Sequence, residues 1–285
     1  MAPIEALLFD VFGTVVDWRG HIVAKLEAQA ARYGEELAGT DWGKFTQDWW
    51  SAGLKEIGRI ATGASQGPLN SDVLHRLVRD PPTTVMQRRN QSPLSKVLDE
   101  VLDSPEWAHV GRLWDETVRQ SINFSMHQLN GWPDAADGLH ELRKHTIVAS
   151  LSNGNVRMLV DLSKFAGLPW DMIFSTEFFD TFKPSNHTLL VIHPSRNPKA
   201  YLDAARHLSL DPECCALVSA HIQDVRGAAN VGMRTVYVRR PGEDIDESTG
   251  QHVEVQSKEN GGDVDYMVGS FLELVDVVKR VNAAE

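Results

Sequence analysis

The chain has 285 residues, of which 42% are hydrophobic and 24% are charged, a composition typical of a soluble globular protein with a substantial core. Its formal net charge of -11 argues against a general binder of nucleic acids or anionic membranes, because those surfaces select clustered Lys and Arg. A small anionic substrate needs only a local positive site and stays compatible with this charge.

No targeting or anchoring signal is evident in the sequence. The first residues, MAPIEALLF, lack the basic region and long apolar core of a signal peptide, and no stretch approaches the ~20 apolar residues of a membrane span. The two cysteines, Cys214 and Cys215, are adjacent, which suits an ordinary disulfide poorly. We therefore expect an intracellular, cytoplasmic protein.

Short apolar runs alternate with helical patterns at the start of the chain and again after about Gly131. The predicted strands read ALLFDVF, HTIVASLS, MIFSTEF, CALVSA, RTVYVRR and VDYMVGS, and amphipathic stretches such as PDAADGLHELRKH and NVRMLVDLSKFAG lie between several of them. This alternation is typical of a parallel sheet covered by helices on both faces. We therefore predict an α/β fold with a doubly wound, Rossmann-like parallel sheet.

The middle of the chain, residues 17–130, has a different pattern. It is largely helical and contains a proline-rich break at 80–93. Beyond Trp18 at its start it holds five tryptophans that we expect mostly to pack between helices: Trp42, Trp49, Trp50, Trp107 and Trp114. We predict a helical domain of residues 17–130 inserted after the first strand, and a core domain formed by residues 1–16 and 131–285.

Polar side chains follow four of the predicted strands. They are Asp10 after ALLF, Ser152 and Asn153 in SLSNGN, Lys183 in FKP, and Ser219, His221 and Asp224 in VSAHIQD. Each one alone reads as a turn or helix-capping residue. Because ligands bind at the carboxyl ends of strands in a doubly wound sheet, their joint occurrence predicts a functional site.

Together, DVFGT, SLSNGN, FKP and VSAHIQD resemble the four motifs of the haloacid dehalogenase superfamily, and more narrowly its type II 2-haloacid dehalogenase branch. GWPDAADGLHELR, GLPWDMIFSTEFF, GMRTVYVRRP and VGSFLEL agree with that branch. The resemblance covers nearly all of the predicted core and is weak across the helical insertion. It implies a Rossmann-like core with a helical cap domain.

Phe12 separates two chemistries within this superfamily. Its phosphatases place a second Asp two residues after the nucleophile as a general acid, and they bind Mg²⁺ through several carboxylates. Here that position is Phe12, and the last motif offers the single carboxylate of Asp224. A halide leaves without a proton, so the sequence favours carbon–halogen cleavage with no metal and no organic cofactor.

The resemblance implies that Asp10 attacks the α-carbon of a 2-haloacid, giving an aspartyl ester that water then hydrolyses to a 2-hydroxy acid. Lys183 would hold the carboxylates, and Asp224 would activate or position the water. The other catalytic residues it implies are Thr14, Ser152, Asn153, Ser219 and His221, the last at a position where many relatives have Asn. The substrate-binding residues it implies are Val11, Phe12, Trp50 and Tyr201.

Two features depart from the family pattern. Removing residues 185–196 would join FKP to NPKAYLDAARHL and bring Tyr201 to the position of the family's tyrosine, so this segment is expected to be an insertion beside Lys183. The family also carries a halide-binding arginine after a tryptophan, where this chain has Trp49 and Trp50. The indole N–H of Trp50, or Lys55 or Arg59, is the candidate replacement.

Two other functions stay open from the sequence. One is a Mg²⁺-dependent phosphatase, which would need another acid in place of Phe12. The other is a catalytically inactive homologue that serves as a binding module, suggested by the insertion and the missing arginine. The family resemblance also implies a homodimer.

Overall fold

The computed structural model describes residues 2–61, 93–179, 181–183, 198–246 and 249–283. Within these ranges six parallel strands form one sheet in the order β3-β2-β1-β4-β5-β6. The strands are β1 Ala6–Phe9, β2 Ile147–Ser152, β3 Met172–Ser175, β4 Cys215–Ser219, β5 Arg234–Val238 and β6 Tyr266–Val268. The predicted α/β fold with a parallel sheet is confirmed.

Helices connect and flank these strands. The α-helices are α1 Trp18–Ala30, α2 Trp42–Ala61, α3 Pro93–Leu102, α4 Ala108–Gly111, α5 Glu116–Phe124, α6 Ala135–Leu142, α7 Val156–Ala166, α8 Lys199–His207, α9 Ile222–Ala229 and α10 Phe271–Asn282. Short 3₁₀ helices span Ala31–Leu37, Ser125–His127, Thr176–Phe179, Pro212–Cys214 and Lys258–Asn260. None of the helices in the described ranges has both the length and the apolar character needed to cross a bilayer.

The central strand β1 sets the position of the predicted nucleophile. All four residues of β1 are fully buried, and Phe9 pairs with Ser150 of β2 on one side and Val218 of β4 on the other. Asp10 therefore follows the central strand at the carboxyl edge of the sheet. The chain order reverses on either side of β1, which is where ligands bind in doubly wound sheets.

Local capping signals explain two of the core helices. Helix α7 begins at Asn155, whose side chain accepts a hydrogen bond from the N–H of Met158, and ends at Gly167 in the left-handed region with φ 64°. Helix α10 begins at Ser270, whose side chain accepts from the N–H of Glu273. That helix was not among the predicted elements, although Ser270 and Glu273 have the spacing of a capping box.

The described residues divide into two compact units, Met1–Asp17 with Asn130–Glu285, and Trp18–Leu129. The second unit has an aromatic core in which the Trp42 and Trp114 rings stack with centroids 5.7 Å apart and Phe45 meets Trp107 edge-on at 5.1 Å. Trp42, Trp49, Trp107 and Trp114 are buried, as predicted for most of the tryptophans. Residues 80–92 of the predicted break lie outside the described residues.

Helix α6 packs closely on the start of α10, and this contact yields a test of the fold. A Cβ atom added at Gly138 would lie 2.4 Å from the Cβ of Phe271. We expect Gly138→Ala to lower the free energy of unfolding by about 1–3 kcal/mol through overpacking, despite the better helix propensity of Ala. Urea unfolding followed by circular dichroism measures this change.

The control is His140→Ala, at an exposed position of the same helix, which we expect to change stability by less than about 0.5 kcal/mol. Equal stability of the two variants would show that α6 and α10 do not pack this closely.

Candidate active site

Asp10 is held in place by the turn that follows β1. Its Oδ2 accepts a hydrogen bond from the Thr14 hydroxyl at 2.8 Å, and Thr14 Oγ1 in turn accepts from the N–H of Ala220 at 2.9 Å. Gly13 takes φ +76°, a conformation that residues with a side chain rarely adopt. Asp10 is 6% exposed. Through Thr14, its carboxylate is linked to the end of β4 as well as to its own strand.

The ammonium group of Lys183 lies between two carboxylates. Its Nζ is 3.1 Å from Asp10 Oδ1 and 2.6 Å from Asp224 Oδ2, and the side chain is fully buried. Burial alone lowers the pKa of Lys183, but the charges and hydrogen bonds of Asp10 and Asp224 outweigh it and raise that pKa above the ordinary 10.5. Lys183 is therefore a cation at neutral pH.

Asp224 lies in the first turn of α9 and is also fully buried. Besides Lys183, it contacts Tyr201, whose hydroxyl donates to Asp224 Oδ1 at 2.5 Å. Burial raises the pKa of Asp224, and Lys183 and Tyr201 act in the opposite direction. Both carboxylate oxygens thus have donors, which fixes the orientation of the group.

Asn153 holds the backbone of Lys183 rather than a side chain of the site. Its Oδ1 accepts from the Lys183 N–H at 2.8 Å, and its Nδ2 donates to the Lys183 carbonyl at 3.2 Å. Ser152 accepts from the N–H of Gly154 at 3.1 Å and so shapes the turn after β2. The end of β2 therefore positions the lysine that pairs with Asp10.

His221 contacts the opposite side of Asp10. Its backbone N–H donates to Ser219 Oγ at 3.1 Å, and its ring Nε2 lies 3.0 Å from the carbonyl oxygen of Phe12 and 3.5 Å from Asp10 Oδ2. Burial lowers the pKa of His221, but the adjacent carboxylate of Asp244 and the charges of Glu243 and Asp10 raise it to about 10.

Glu243 and Asp244 are site residues that the sequence analysis missed. Each has a carboxylate oxygen 3.8 Å from Nδ1 of His221, and Asp244 also accepts from the N–H of Ile222 at 2.6 Å. They lie in the loop after β5, two and three residues beyond the stretch GMRTVYVRRP that supports the family resemblance. The end of β5 at Val238 points to this loop but not to these two residues, which approach His221 only because the loop folds back.

The predicted substrate-binding residues lie in different surroundings. Val11 is 1% exposed and its carbonyl accepts from the N–H groups of Val15 and Val16. The ring of Phe12 lies against Gly154, since a Cβ there would be 3.1 Å from Phe12 Cε2. Tyr201 is fully buried against Asp224.

Trp50 belongs to the helical unit 18–129 and stacks on Trp18 with ring centroids 4.3 Å apart. It lines a small apolar pocket of that unit together with Trp18, Ile22, Thr46, Trp49 and Met126. Lys55 and Arg59 are exposed on α2. The predicted insertion at 185–196 lies outside the described residues.

The described carboxylates do not fit a magnesium site. The ammonium of Lys183 lies between Asp10 and Asp224, and the second acid of the phosphatases is replaced by Phe12. Across the described ranges no three His, Cys, Asp or Glu side chains are grouped so that they could hold a metal ion. Mg²⁺ prefers an octahedron of oxygen ligands, which this arrangement does not offer.

Comparisons with known proteins agree with the motifs. The model of a family described as haloacid dehalogenase-like hydrolase matches residues 4–232. Over 128 residues the chain is 32% identical to (S)-2-haloacid dehalogenase 4A of Burkholderia cepacia, a match that covers 44% of this chain and 50% of that relative. The chain therefore spans about half the length of this curated relative.

Solved structures are similar over nearly the whole chain. One is an L-2-haloacid dehalogenase with a TM-score of 0.70 and 26% identity, covering 96% of this chain and 99% of that chain. Another is a defluorinating L-2-haloacid dehalogenase with a TM-score of 0.72 and 28% identity, covering 97% of this chain and 95% of that chain.

Because Lys183 lies buried between Asp10 and Asp224, we expect Lys183→Met to lower the stability of the protein strongly. This change leaves the Asp10 and Asp224 carboxylates without their buried partner, so we expect the free energy of unfolding to fall by about 3–5 kcal/mol. Urea unfolding at pH 7 measures it. Adding Asp224→Asn should restore part of the loss, because it removes one uncompensated charge. If the free energy of unfolding of Lys183→Met lies within about 1 kcal/mol of the wild-type value, Lys183 is not buried between two charged carboxylates.

His221 predicts a pH-dependent contribution to stability. Because its pKa in the folded protein, about 10, exceeds the ordinary 6.5, the contribution is complete below pH 6.5 and is lost as pH rises through 10. We expect the stability difference between the wild type and His221→Gln to be larger at pH 6 than at pH 10. Urea unfolding of both proteins over this range tests it, and a constant difference would mean that His221 is not held in its charged form.

Proposed function

The chain belongs to the haloacid dehalogenase-like hydrolases, and we propose that it hydrolyses the carbon–halogen bond of short 2-haloalkanoic acids to give 2-hydroxy acids. One observation carries this proposal. The Asp10 carboxylate at the edge of the sheet is oriented by Thr14 and Lys183, while the apolar Phe12 occupies the position of a general acid. The known relatives that are 2-haloacid dehalogenases support the same activity.

In the first step, an oxygen of Asp10 attacks the α-carbon on the side opposite the halogen. The new carbon–oxygen bond forms as the carbon–halogen bond breaks, the halide leaves with the bonding electrons, and the configuration at the α-carbon inverts. The hydrogen bonds from Thr14 and Lys183 fix the carboxylate for this attack. The product is an ester of Asp10, which divides one difficult displacement into two easier reactions.

In the second step, water attacks the carboxyl carbon of that ester. Asp224 takes the proton of the water, a role that suits its raised pKa, and the ester oxygen leaves as the hydroxyl group of the product. Lys183 stabilises the negative charge that develops. Asp10 regains its carboxylate, and one halide and one proton are released in each cycle.

The remaining residues are assigned to binding and positioning. We propose that residues 17–130 form the cap domain and that Trp50, in the apolar pocket of this unit, takes the place of the halide-binding arginine. Val11, Phe12 and Tyr201 contribute to the substrate site, and Ser152, Asn153 and Ser219 hold the turns that carry it. No metal or organic cofactor takes part.

We also propose a cytoplasmic homodimer. Both cysteines are free, which suits a reducing compartment. The family resemblance supports pairing of cap helices between two copies.

The two alternative functions fit the site less well. A phosphatase needs Mg²⁺ ligands and a general acid, whereas this chain has Phe12 at the position of that acid and the single carboxylate of Asp224 in its last motif. An inactive binding module would not need a buried ammonium between two carboxylates, since such a cluster is costly to bury.

Release of chloride from racemic 2-chloropropionate in the presence of a chelator tests the proposed function. We expect the wild type to release chloride and Asp10→Asn to lose at least about a thousandfold in rate, because an amide is not a nucleophile for this displacement. Asp137→Asn, at an exposed position of α6, should retain the wild-type rate.

Other outcomes would point elsewhere. Chloride release that does not depend on Asp10 would contradict the assigned nucleophile. If folded wild type releases no chloride, magnesium-dependent hydrolysis of phosphate esters would favour the phosphatase, and inactivity in both assays would favour the binding module.

A further inference from the structure

Oxygen atoms from the loop after β5 and from the turn after β1 surround the ring of His221. On the Nδ1 side, Glu243 Oε2 and Asp244 Oδ1 each lie 3.8 Å away. On the Nε2 side are the Phe12 carbonyl at 3.0 Å and Asp10 Oδ2 at 3.5 Å. All four oxygens are hydrogen-bond acceptors, because one is a backbone carbonyl and three are carboxylates.

This arrangement determines the protonation state of the ring. A neutral imidazole has one nitrogen that accepts, and here that nitrogen would face acceptors alone. An imidazolium carries a proton on both nitrogens and satisfies both sides. The rise in the pKa of His221 to about 10 agrees with this geometry.

Gly13 makes room for the carboxylate of Glu243. A Cβ atom at position 13 would lie 2.4 Å from Glu243 Cδ and 2.5 Å from Glu243 Oε1. The acidic side chain therefore lies directly over the turn that carries Asp10. Asp244 is fixed separately by the N–H of Ile222 at the start of α9, and burial and the charge of Asp244 raise the pKa of Tyr237 on β5.

We propose that Glu243 and Asp244 hold His221 as an imidazolium that stabilises the negative charge on Asp10 Oδ2 during hydrolysis of the Asp10 ester. This inference rests on the proposed function. His221 is then a catalytic residue that keeps its proton throughout, and Glu243 and Asp244 are positioning residues.

The two steps of the reaction change the negative charge on Asp10 in opposite directions. During displacement the carboxylate of Asp10 loses negative charge to the departing halide, so a cation beside it stabilises the starting state and gives no acceleration. During hydrolysis an oxygen of the ester gains negative charge as water attacks, so the same cation stabilises the transition state. Loss of His221 should therefore slow the second step selectively.

Rapid quenching followed by intact-protein mass spectrometry measures both steps with racemic 2-chloropropionate. In His221→Gln, which keeps an N–H donor but not the charge, we expect first-turnover chloride release to persist. Hydrolysis should slow by about 100-fold, the lower end of the cost of removing an oxyanion donor, because the amide keeps an N–H but loses the charge. The Asp10 ester should then accumulate as a protein carrying one added propionate group.

Further variants separate charge from shape. Glu243→Gln should also accumulate ester, and its hydrolysis rate should begin to fall at a lower pH than that of the wild type. His221→Lys restores a cation and should recover part of the hydrolysis rate. His140→Gln and Glu254→Gln, at exposed positions, should behave as the wild type.

The outcomes distinguish this inference from the function on which it rests. If the wild type releases no chloride and no variant forms an ester, the proposed function is wrong. If the wild type is active but neither His221→Gln nor Glu243→Gln accumulates ester, the role of the imidazolium is wrong. Equal loss of both steps in these folded variants would likewise overturn it, because it would indicate a purely structural role.

Discussion

A single buried ammonium group, Lys183 Nζ, links the three parts of the chain that make the site. It contacts Asp10 at the end of β1 and Asp224 at the start of α9, and Asn153 after β2 holds its backbone. A buried charge is tolerated when charged partners surround it. Removing any one partner leaves another charge buried without compensation. The positions of Asp10, Asp224 and the turn after β2 therefore depend on the same ammonium group.

Two basic side chains of the protein flank the carboxylate of Asp10. Lys183 lies on one side of Asp10 and His221 on the other, each close to a different oxygen of the carboxylate. Cations fixed in the fold need no loading and offer defined distances to the reacting oxygens. The apolar Phe12 is compatible with such a site, since a second carboxylate at position 12 would compete for these cations.

Much of this arrangement was predictable because the information is local. The six strands are short apolar runs, and the polar residues that follow them meet at one edge of a parallel sheet. Glu243 and Asp244 were missed because their role depends on where a loop folds back, which no spacing in the sequence encodes. That Val11 binds substrate stays a prediction, and the strand-end position does not reveal that this residue is 1% exposed.

The close approach of Glu243 to Gly13 couples two distant positions of the chain. Any side chain at 13 would displace the carboxylate of Glu243, and a shorter residue at 243 would leave space above the turn. A side chain at 13 is therefore excluded twice, by the positive φ of this residue and by the carboxylate above it, so that shortening residue 243 would remove only one of the two obstacles. Among homologues, glycine at position 13 should vary less than the acid at position 243.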